Sequence, residues 1–557
     1  MSLKDDLAPL IKGDVLDDSE TIKKYSRDTS IFERAPKVVV FPKNADDVVA
    51  VVNYARSAKK RGERVSIAAR SAGTDMTGGD LTDSISLVFT KYMNQIIEVQ
   101  NDPDASVGTG FAITEPGVYY RDFEKETLAK VGKILPSYPA SRELCAMGGM
   151  VANNSGGELT LRYGKTEKYI RELDVILADG SKATLRPLSP TELEQKKSEQ
   201  TFEGEIYRSL HALLEEHAAE IEAARPSVTK NSAGYALWNV VNKEKGTFDL
   251  TQLFAGSQGT LGIITRETLG LVKTKAARAM LVIFVDNVKV LPEIVHRVLS
   301  REPESFESYD DKTFSLALRF MPQMLRHMGL IKMIKLGLAF LPEALLALSG
   351  GIPKLVLMAE FAEDTHEEAL GKAKATEALL HDLSLRTKIA KSESQIAKYW
   401  TIRRESFNLL RKNVRGRFAA AFIDDLVVHP TDYPTFLPEL DKLVRGHKFI
   451  YTIAGHVGDG NFHIIPLEDM ADPEARAEIT ELMPQVFKLV AKYKGSITGE
   501  HNDGIIRTPY LPLMYGDKIC ALFAEVKKIF DPLGILNPGK KTGGTIEDIK
   551  RSMITKS

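Results

Sequence analysis

Between Ile453 and Pro466 the chain reads Ile-Ala-Gly-His-Val-Gly-Asp-Gly-Asn-Phe-His-Ile-Ile-Pro, two apolar runs hinged on Asp459-Gly460. That dipeptide favours a tight hairpin turn, so residues 447–456 and 462–467 read as paired antiparallel strands. With Asp459 and Gly460 as the two central turn residues, the pairs 458/461, 457/462 and 456/463 face each other. His456 and His463 then share one face with Cβ atoms about 5 Å apart, where two neutral imidazoles can chelate one divalent ion. A hairpin whose histidines merely pack is the competing reading.

About forty residues on comes Gly495-Ser-Ile-Thr-Gly-Glu-His-Asn-Asp-Gly504. Glu500 offers a third ligand, and His501 a base beside the metal. In a regular strand these two side chains would point to opposite faces. The flanking Gly499 and Asn502-Asp503-Gly504 favour a bulge or turn that removes the conflict. The alternative fate of Glu500 is a solvated loop acid.

A chain of 557 residues divides into two or three domains. Its 74 basic and 75 acidic residues leave a net charge of −1, so no global field recruits nucleic acid. Two cysteines, Cys145 and Cys520, exclude both a disulfide framework and a cysteine-ligated iron–sulfur cluster within this chain. The start, Met-Ser-Leu-Lys-Asp-Asp-Leu, has neither an apolar signal core nor an Arg-rich presequence, and a cytoplasmic protein is expected. The segment 320–354 mixes Met, Leu and Ile with basic residues and one acid. It reads either as an interfacial, membrane- or partner-docking stretch or as an ordinary helix pair.

Asn44 is a credible N-cap for a helix whose apolar face is Val48, Val51, Val52 and Ala55, closed by Lys59, Lys60 and Arg61 before Gly62. A strand at 65–69 leads into the small-residue loop Arg70-Ser-Ala-Gly-Thr-Asp-Met-Thr-Gly-Gly79, and strand-like runs follow at 85–89, 95–99 and 106–111. Two further small-residue segments are Cys145–Gly157 and Gly256–Gly262. A less punctuated, helix-rich stretch spans about 280–420, and an amphipathic helix at 517–530 precedes Asn537-Pro-Gly539. Strand, glycine loop and more strands is not the order of a dinucleotide-binding βαβ unit, and no triphosphate-binding loop occurs. Gly73, Gly78 and Gly79 nonetheless let several backbone N–H groups approach an anion.

Taken together, these segments resemble the FAD-linked oxidase family with the vanillyl-alcohol-oxidase-type (PCMH-type) flavin fold. The nearest branch is that of the D-lactate, glycolate and D-2-hydroxyglutarate dehydrogenases. The resemblance covers about residues 30–545. It implies an α+β protein whose two-part FAD domain, roughly 1–274 (PCMH-type core about 32–274) with 500–557, encloses an α+β substrate cap at 275–499. It implies that backbone groups of Arg70, Ser71, Ala72, Gly73, Thr74 and Asp75 hold the pyrophosphate. Cys145, Gly148, Gly149, Asn153, Asn154, Ile263 and Asn537 would line the cofactor. The first loop carries Thr74 and no histidine, so FAD is expected to bind non-covalently. His456, His463 and Glu500 match metal ligands for zinc, manganese or iron, and His501 matches the catalytic base. Trp400-Thr-Ile-Arg403 resembles the family's Trp-x-x-Arg, which makes Arg403 the expected partner of the substrate carboxylate; Arg507 is a weaker choice.

The implied reaction is oxidation of a 2-hydroxy acid to the 2-keto acid, with electrons passing to a quinone, a separate electron-transfer flavoprotein or an iron–sulfur protein. Where 2-hydroxyglutarate enzymes carry threonine, asparagine and lysine, this chain has Phe407, Ile465 and a position near Ile423. That favours a monocarboxylic D-2-hydroxy acid such as D-lactate, with D-2-hydroxyglutarate and glycolate as alternatives. A flavin-free metal-dependent hydrolase and a non-catalytic electron-transfer flavoprotein are the rivals from other classes.

Overall fold

The computed structural model describes residues 2–103, 107–311, 353–413, 417–447 and 449–555. Of the docking segment at 320–354, residues 320–352 lie outside the described residues. Among the described residues no helix is long and apolar enough to cross a membrane.

The first sheet orders its strands as Asp14–Leu16, Val38–Phe41, Ile85–Val88 and Ile67–Arg70. Val38–Phe41 and Ile67–Arg70 both run parallel to Ile85–Val88, and Asp14–Leu16 is antiparallel at the edge. Parallel strands are covered on both faces, and Val38–Phe41 and Ile85–Val88 are accordingly buried at every position. The helix Ala45–Lys60 lies against them. The Asn44 side chain accepts from Asp47 N, and Val48, Val51, Val52, Ala55 and Ala58 are buried. The strand expected at 65–69 begins two residues later. It therefore ends on Arg70, where the first glycine loop departs from its carboxyl end.

The second sheet is antiparallel throughout: Ile96–Asn101, Gly110–Thr114, Ile263–Leu271, Ile170–Ile176, Lys182–Leu185. Its central strand, Ile263–Leu271, is supplied late in the chain, so the third glycine segment leads straight into the middle of the sheet. Phe202–Glu216 contributes Ile206, Tyr207, Leu210 and Leu213 to this core. The chain end returns to the same layer. Leu511–Phe530 is broken at Gly516 (φ 74°), and the portion beyond it, which matches the expected helix, adds Ile519, Leu522, Phe523, Val526 and Phe530. Leu536 then forms a parallel bridge with Ile67.

The third sheet has eight strands, among them Arg386–Ala390, Ala277–Val285, Leu355–Glu363, Ser305–Asp310, Ile450–His456 and Asn461–Glu468 in that spatial order. Of the stretch at 280–420, expected to be helix-rich, the described residues alternate strands with the helices Leu291–Leu299, His366–Leu379 and Glu393–Asn413. The reason is two-sided burial. Along Ala277–Val285, Ala279, Leu281, Ile283 and Val285 face one apolar core, and Met280, Val282 and Phe284 face another. With both faces buried, the period-two signal disappears from the sequence. Each large apolar side chain so buried contributes about 1.5–3 kcal/mol.

Candidate active site

His456 ends one strand of the hairpin and His463 lies on the other. The register differs from the tight-turn expectation: His456 pairs with Asn461, Gly455 with Phe462 and Ala454 with His463. The connection is four residues, Val457-Gly458-Asp459-Gly460, of which the first three form a 3₁₀ turn and only Gly460 is left-handed (φ 73°). Tertiary contacts select this loop. Tyr433 OH donates to Val457 O at 2.8 Å, Thr229 Oγ1 donates to Asp459 O at 2.7 Å, and the Asp459 carboxylate meets the buried Lys230 at 3.5 Å. The shift is two residues, an even number, so both histidines keep one face and become diagonal neighbours. Their ring centroids are 5.2 Å apart.

Glu500 and His501 lie in an irregular bend followed by Asn502 at φ 71° and Gly504 at φ 51°. The bend is held by Asp425, itself at φ 65°, whose Oδ2 accepts from the backbone N–H of Glu500 (2.9 Å) and of His501 (2.8 Å). Both side chains therefore turn towards the hairpin. Glu500 Oε1 is 3.4 Å from Nε2 of His456 and 3.4 Å from Nε2 of His463, and 3.8 Å from Nε2 of His501. Two donors bound about 2.0–2.2 Å from one tetrahedral ion stand ~3.3–3.6 Å apart, the spacing that the His456–Glu500 and His463–Glu500 pairs each show. Asp425, His463, Glu500 and His501 also bring one potential ligand atom each within 4.8 Å of one another. Asp425, however, is occupied by the two backbone amides, Thr498 Oγ1 and Asn461 Nδ2.

The far side of each imidazole is anchored on a carboxylate. His456 Nδ1 donates to Glu307 Oε1 at 2.5 Å, His463 Nδ1 to Asp424 Oδ1 at 3.2 Å, and His501 Nδ1 reaches Asp424 Oδ2 at 2.9 Å. The hydrogen bonds at His456 and His463 fix those two tautomers, whereas His501 and Asp424 Oδ2 approach as an ion pair without one. Burial disfavours a charged His463, but Asp424 and Glu500 outweigh it and raise its pKa to about 10. Burial is likewise outweighed at His501, which Asp425 and Asp424 hold above its ordinary value. Glu500 is held well below the carboxylate range against its burial, by Lys230 and His456.

Arg403, on Glu393–Asn413, sits 3.3 Å from Glu307 Oε2, so one buried glutamate serves both His456 and the expected carboxylate-binding arginine. Arg507 is buried and donates to the carbonyls of Asn502 and Asp424, which gives it a structural task instead. Ile465 lies two residues from His463 on the same face and is half-buried. Ile423 is wholly inside the apolar core, so the expectation that it borders the substrate is corrected. Glu307, Asp424, Asp425 and Lys230 were not singled out in the sequence. Only Asp424-Asp425, two acids inside the apolar run 418–428, offered a signal.

The glycine segments converge on this cluster. The Arg70 side chain turns away to Arg27 O (2.7 Å) and Asp80 (3.3 Å), leaving its backbone at the head of a half-buried loop, 71–76. Within that loop Ser71 Oγ donates to Pro116 O, and the Asp75 carboxylate accepts from Thr77 N and Gly79 N. At Gly73 (φ 71°) a Cβ would stand 2.2 Å from the Arg70 guanidinium, and at Gly148 one would meet Pro116 at 2.4 Å. Asn153 Nδ2 donates to Asp75 Oδ1, and Asn154, left-handed at φ 51°, caps the short helix Met147–Asn153. Asn502 Nδ2 donates to Gly256 O (2.9 Å) and Asn153 O (3.3 Å), while Asn537 Nδ2 donates to Gly79 O and Gln258 O, both at 2.7 Å. Gly156 is where the second small-residue segment meets the His/Glu cluster, since a Cβ there would lie 3.4 Å from Glu500 Oε2. Cys145 and Ile263 place their side chains in the apolar cores, so only their backbone is available to a cofactor.

Comparison with known proteins agrees. A family model for an FAD binding domain matches residues 36–186, and one for the C-terminal domain of FAD linked oxidases matches 274–541. The flavin-free hydrolase reading gives no account of the first match. A D-2-hydroxyglutarate dehydrogenase of Pseudomonas putida is 27% identical over 95% of this chain and 50% of its own length. The chain spans about half the length of several curated relatives it matches, this one included. A D-lactate dehydrogenase of Anaerostipes hadrus is 24% identical over 91% of this chain and 89% of its own. The solved structure of p-cresol methylhydroxylase with substrate bound shares the fold, with a TM-score of 0.64 at 15% identity over 95% and 94% of the two chains. With a flavin-binding half, an oxidase C-terminal half and this fold in one chain, the protein belongs to the FAD-linked oxidase family.

Proposed function

We propose that the chain is an FAD-dependent dehydrogenase that oxidises a D-2-hydroxy acid to the 2-keto acid, with 1–274 and 500–557 forming the flavin unit and 275–499 the cap. The observation that carries this reading is the seam at Gly156, where a flavin segment abuts a convergent His456/His463/Glu500 cluster with His501 beside it. FAD, when bound, supplies the two-electron acceptor for the C2–H bond. A divalent ion held by His456, His463 and Glu500 supplies the positive charge that makes a neighbouring substrate hydroxyl acidic and counters the pull of Asp424 and Asp425 on His501.

His501 takes the hydroxyl proton at Nε2, the ring nitrogen that lies 3.8 Å from Glu500 Oε1. Arg403, positioned by Glu307, binds the substrate carboxylate and orients C2. Ile465 offers apolar surface beside His463, where a second carboxylate would find no hydrogen bond. That favours a monocarboxylic substrate such as D-lactate over D-2-hydroxyglutarate, although relatives of both names match. A bound flavin would pass its electrons to an external acceptor, a quinone, flavoprotein or iron–sulfur protein.

Anaerobic flavin bleaching across D- and L-hydroxy acids tests the reading. D-lactate is expected to bleach fastest. Substituting His501→Asn slows bleaching by on the order of 10²–10⁴ while FAD and metal stay bound. Bound FAD that no hydroxy acid bleaches would leave the non-catalytic flavoprotein standing.

A further inference from the structure

We propose that Lys230 is a positioning residue of the metal site: its ammonium occupies one oxygen of Glu500, so the carboxylate meets the ion through the other oxygen alone. The inference rests on the metal reading above. The two oxygens of Glu500 face different partners. Oε1 stands 3.4 Å from Nε2 of both His456 and His463, whereas Oε2 lies 3.1 Å from Lys230 Nζ. Lys230 is completely buried. Its ammonium also reaches Asp459 Oδ2 at 3.5 Å and Asn461 Oδ1 at 3.5 Å, both in the hairpin that carries the two histidines. One cation thus locks the hairpin ligands to the distant segment that brings Glu500.

The position has a chemical consequence. Two imidazoles and one carboxylate oxygen make three protein donors, leaving coordination positions open for a substrate. A chelating Glu500 would fill one of them. A lysine serving only to bridge two loops predicts none of this; it predicts a change in stability with metal binding untouched.

The test uses the full chain loaded with FAD and stripped of metal, titrated with Zn²⁺ against a chromophoric chelator. For Lys230→Met the affinity is expected to fall by about 10–100-fold with FAD content unchanged, as for other groups that orient a metal ligand. Lys230→Gln, which still donates an N–H to Oε2, is expected to fall between that variant and the parent. Parental affinity in both variants overturns the inference and leaves the metal reading intact. A parent that takes up no Zn²⁺, Mn²⁺ or Fe²⁺ overturns the metal reading, and this inference with it. Because a buried lysine can be needed for folding, a second measurement uses the parent alone. With ¹³C-labelled glutamate, the infrared difference spectrum on adding Zn²⁺ is expected to show the wide antisymmetric–symmetric splitting of a one-oxygen carboxylate ligand. The narrow splitting of a chelating carboxylate overturns the proposal.

Discussion

Asp424 shows how much one side chain can organise. One oxygen accepts from Nδ1 of His463 and the other lies 2.9 Å from Nδ1 of His501, so a proposed ligand and the proposed base share one counter-charge. The cost is electrostatic: with Glu500 it raises the His463 pKa from 6.5 to about 10. A group raised in this way stabilises the fold fully below its unfolded value, and the contribution disappears as pH climbs through the folded one. Protein freed of metal should therefore lose thermal stability between about pH 6.5 and 10 on account of His463, whereas Zn²⁺-loaded protein, in which that nitrogen is committed, should not. Zn²⁺ affinity should tighten over the same window, because binding displaces the proton. Parallel melting curves with and without chelator would check this; coincident pH profiles would remove His463 from the ligand set.

Among elements, the helix Glu393–Asn413 matters most, because it brings Arg403 to Glu307, the carboxylate behind His456, and Arg404 to Glu158. Arg404 Nη2 meets both oxygens of Glu158, at 2.6 and 2.8 Å, immediately after the second flavin segment, and its guanidinium lies 4.7 Å above the Trp400 ring. Trp400 Nε1 in turn donates to the buried Glu360 at 2.6 Å. The Arg404–Glu158 contact is half exposed, so it adds little to stability, but it ties the helix that carries Arg403 to the segment after Gly157. Arg404→Ala is expected to raise KM for a hydroxy acid by about two- to fivefold with a nearly unchanged Tm, since pairs of this exposure are worth about 0.2–1 kcal/mol. Reversing both charges, Glu158→Arg with Arg404→Glu, should restore part of the loss. Steady-state kinetics on the three variants decide it; a KM unmoved by Arg404→Ala would make the contact incidental.

At the scale of the molecule, the cofactor cradle is closed by a chain end remote from its glycine loops. Leu522, Phe523, Val526 and Phe530 complete the core behind the second sheet, and Asn537 ties the first loop at Gly79 to the third segment at Gln258. A chain ending at residue 510 keeps the three N-terminal glycine segments, yet it should not retain FAD. Desalting and then recording flavin absorbance, with His501→Asn protein as the full-length control, tests this; a truncated chain that stays yellow would show that FAD is held without the residues beyond 510.

The sequence by itself determined the local chemistry. Asn44 announced its helix, Asp459-Gly460 announced the hairpin, and the order of glycine segments announced a flavin fold, because each is a short-range requirement written in adjacent residues. His456, His463, Glu500 and His501 were singled out from short stretches of this kind, and the structure brings the four side chains together. The tertiary structure alone decided the hairpin register, since Tyr433, Thr229 and Lys230 grip its loop from distant positions and override the two-residue turn the dipeptide favours. It alone showed strands at 277–285 and 355–363, because burial on both faces erases the alternation that would reveal them. It alone supplied Glu307, Asp424, Asp425 and Lys230. These groups act on partners far away in the chain, and a buried charge is tolerated only where the fold brings its counter-charge, a pairing that no stretch of neighbouring residues records.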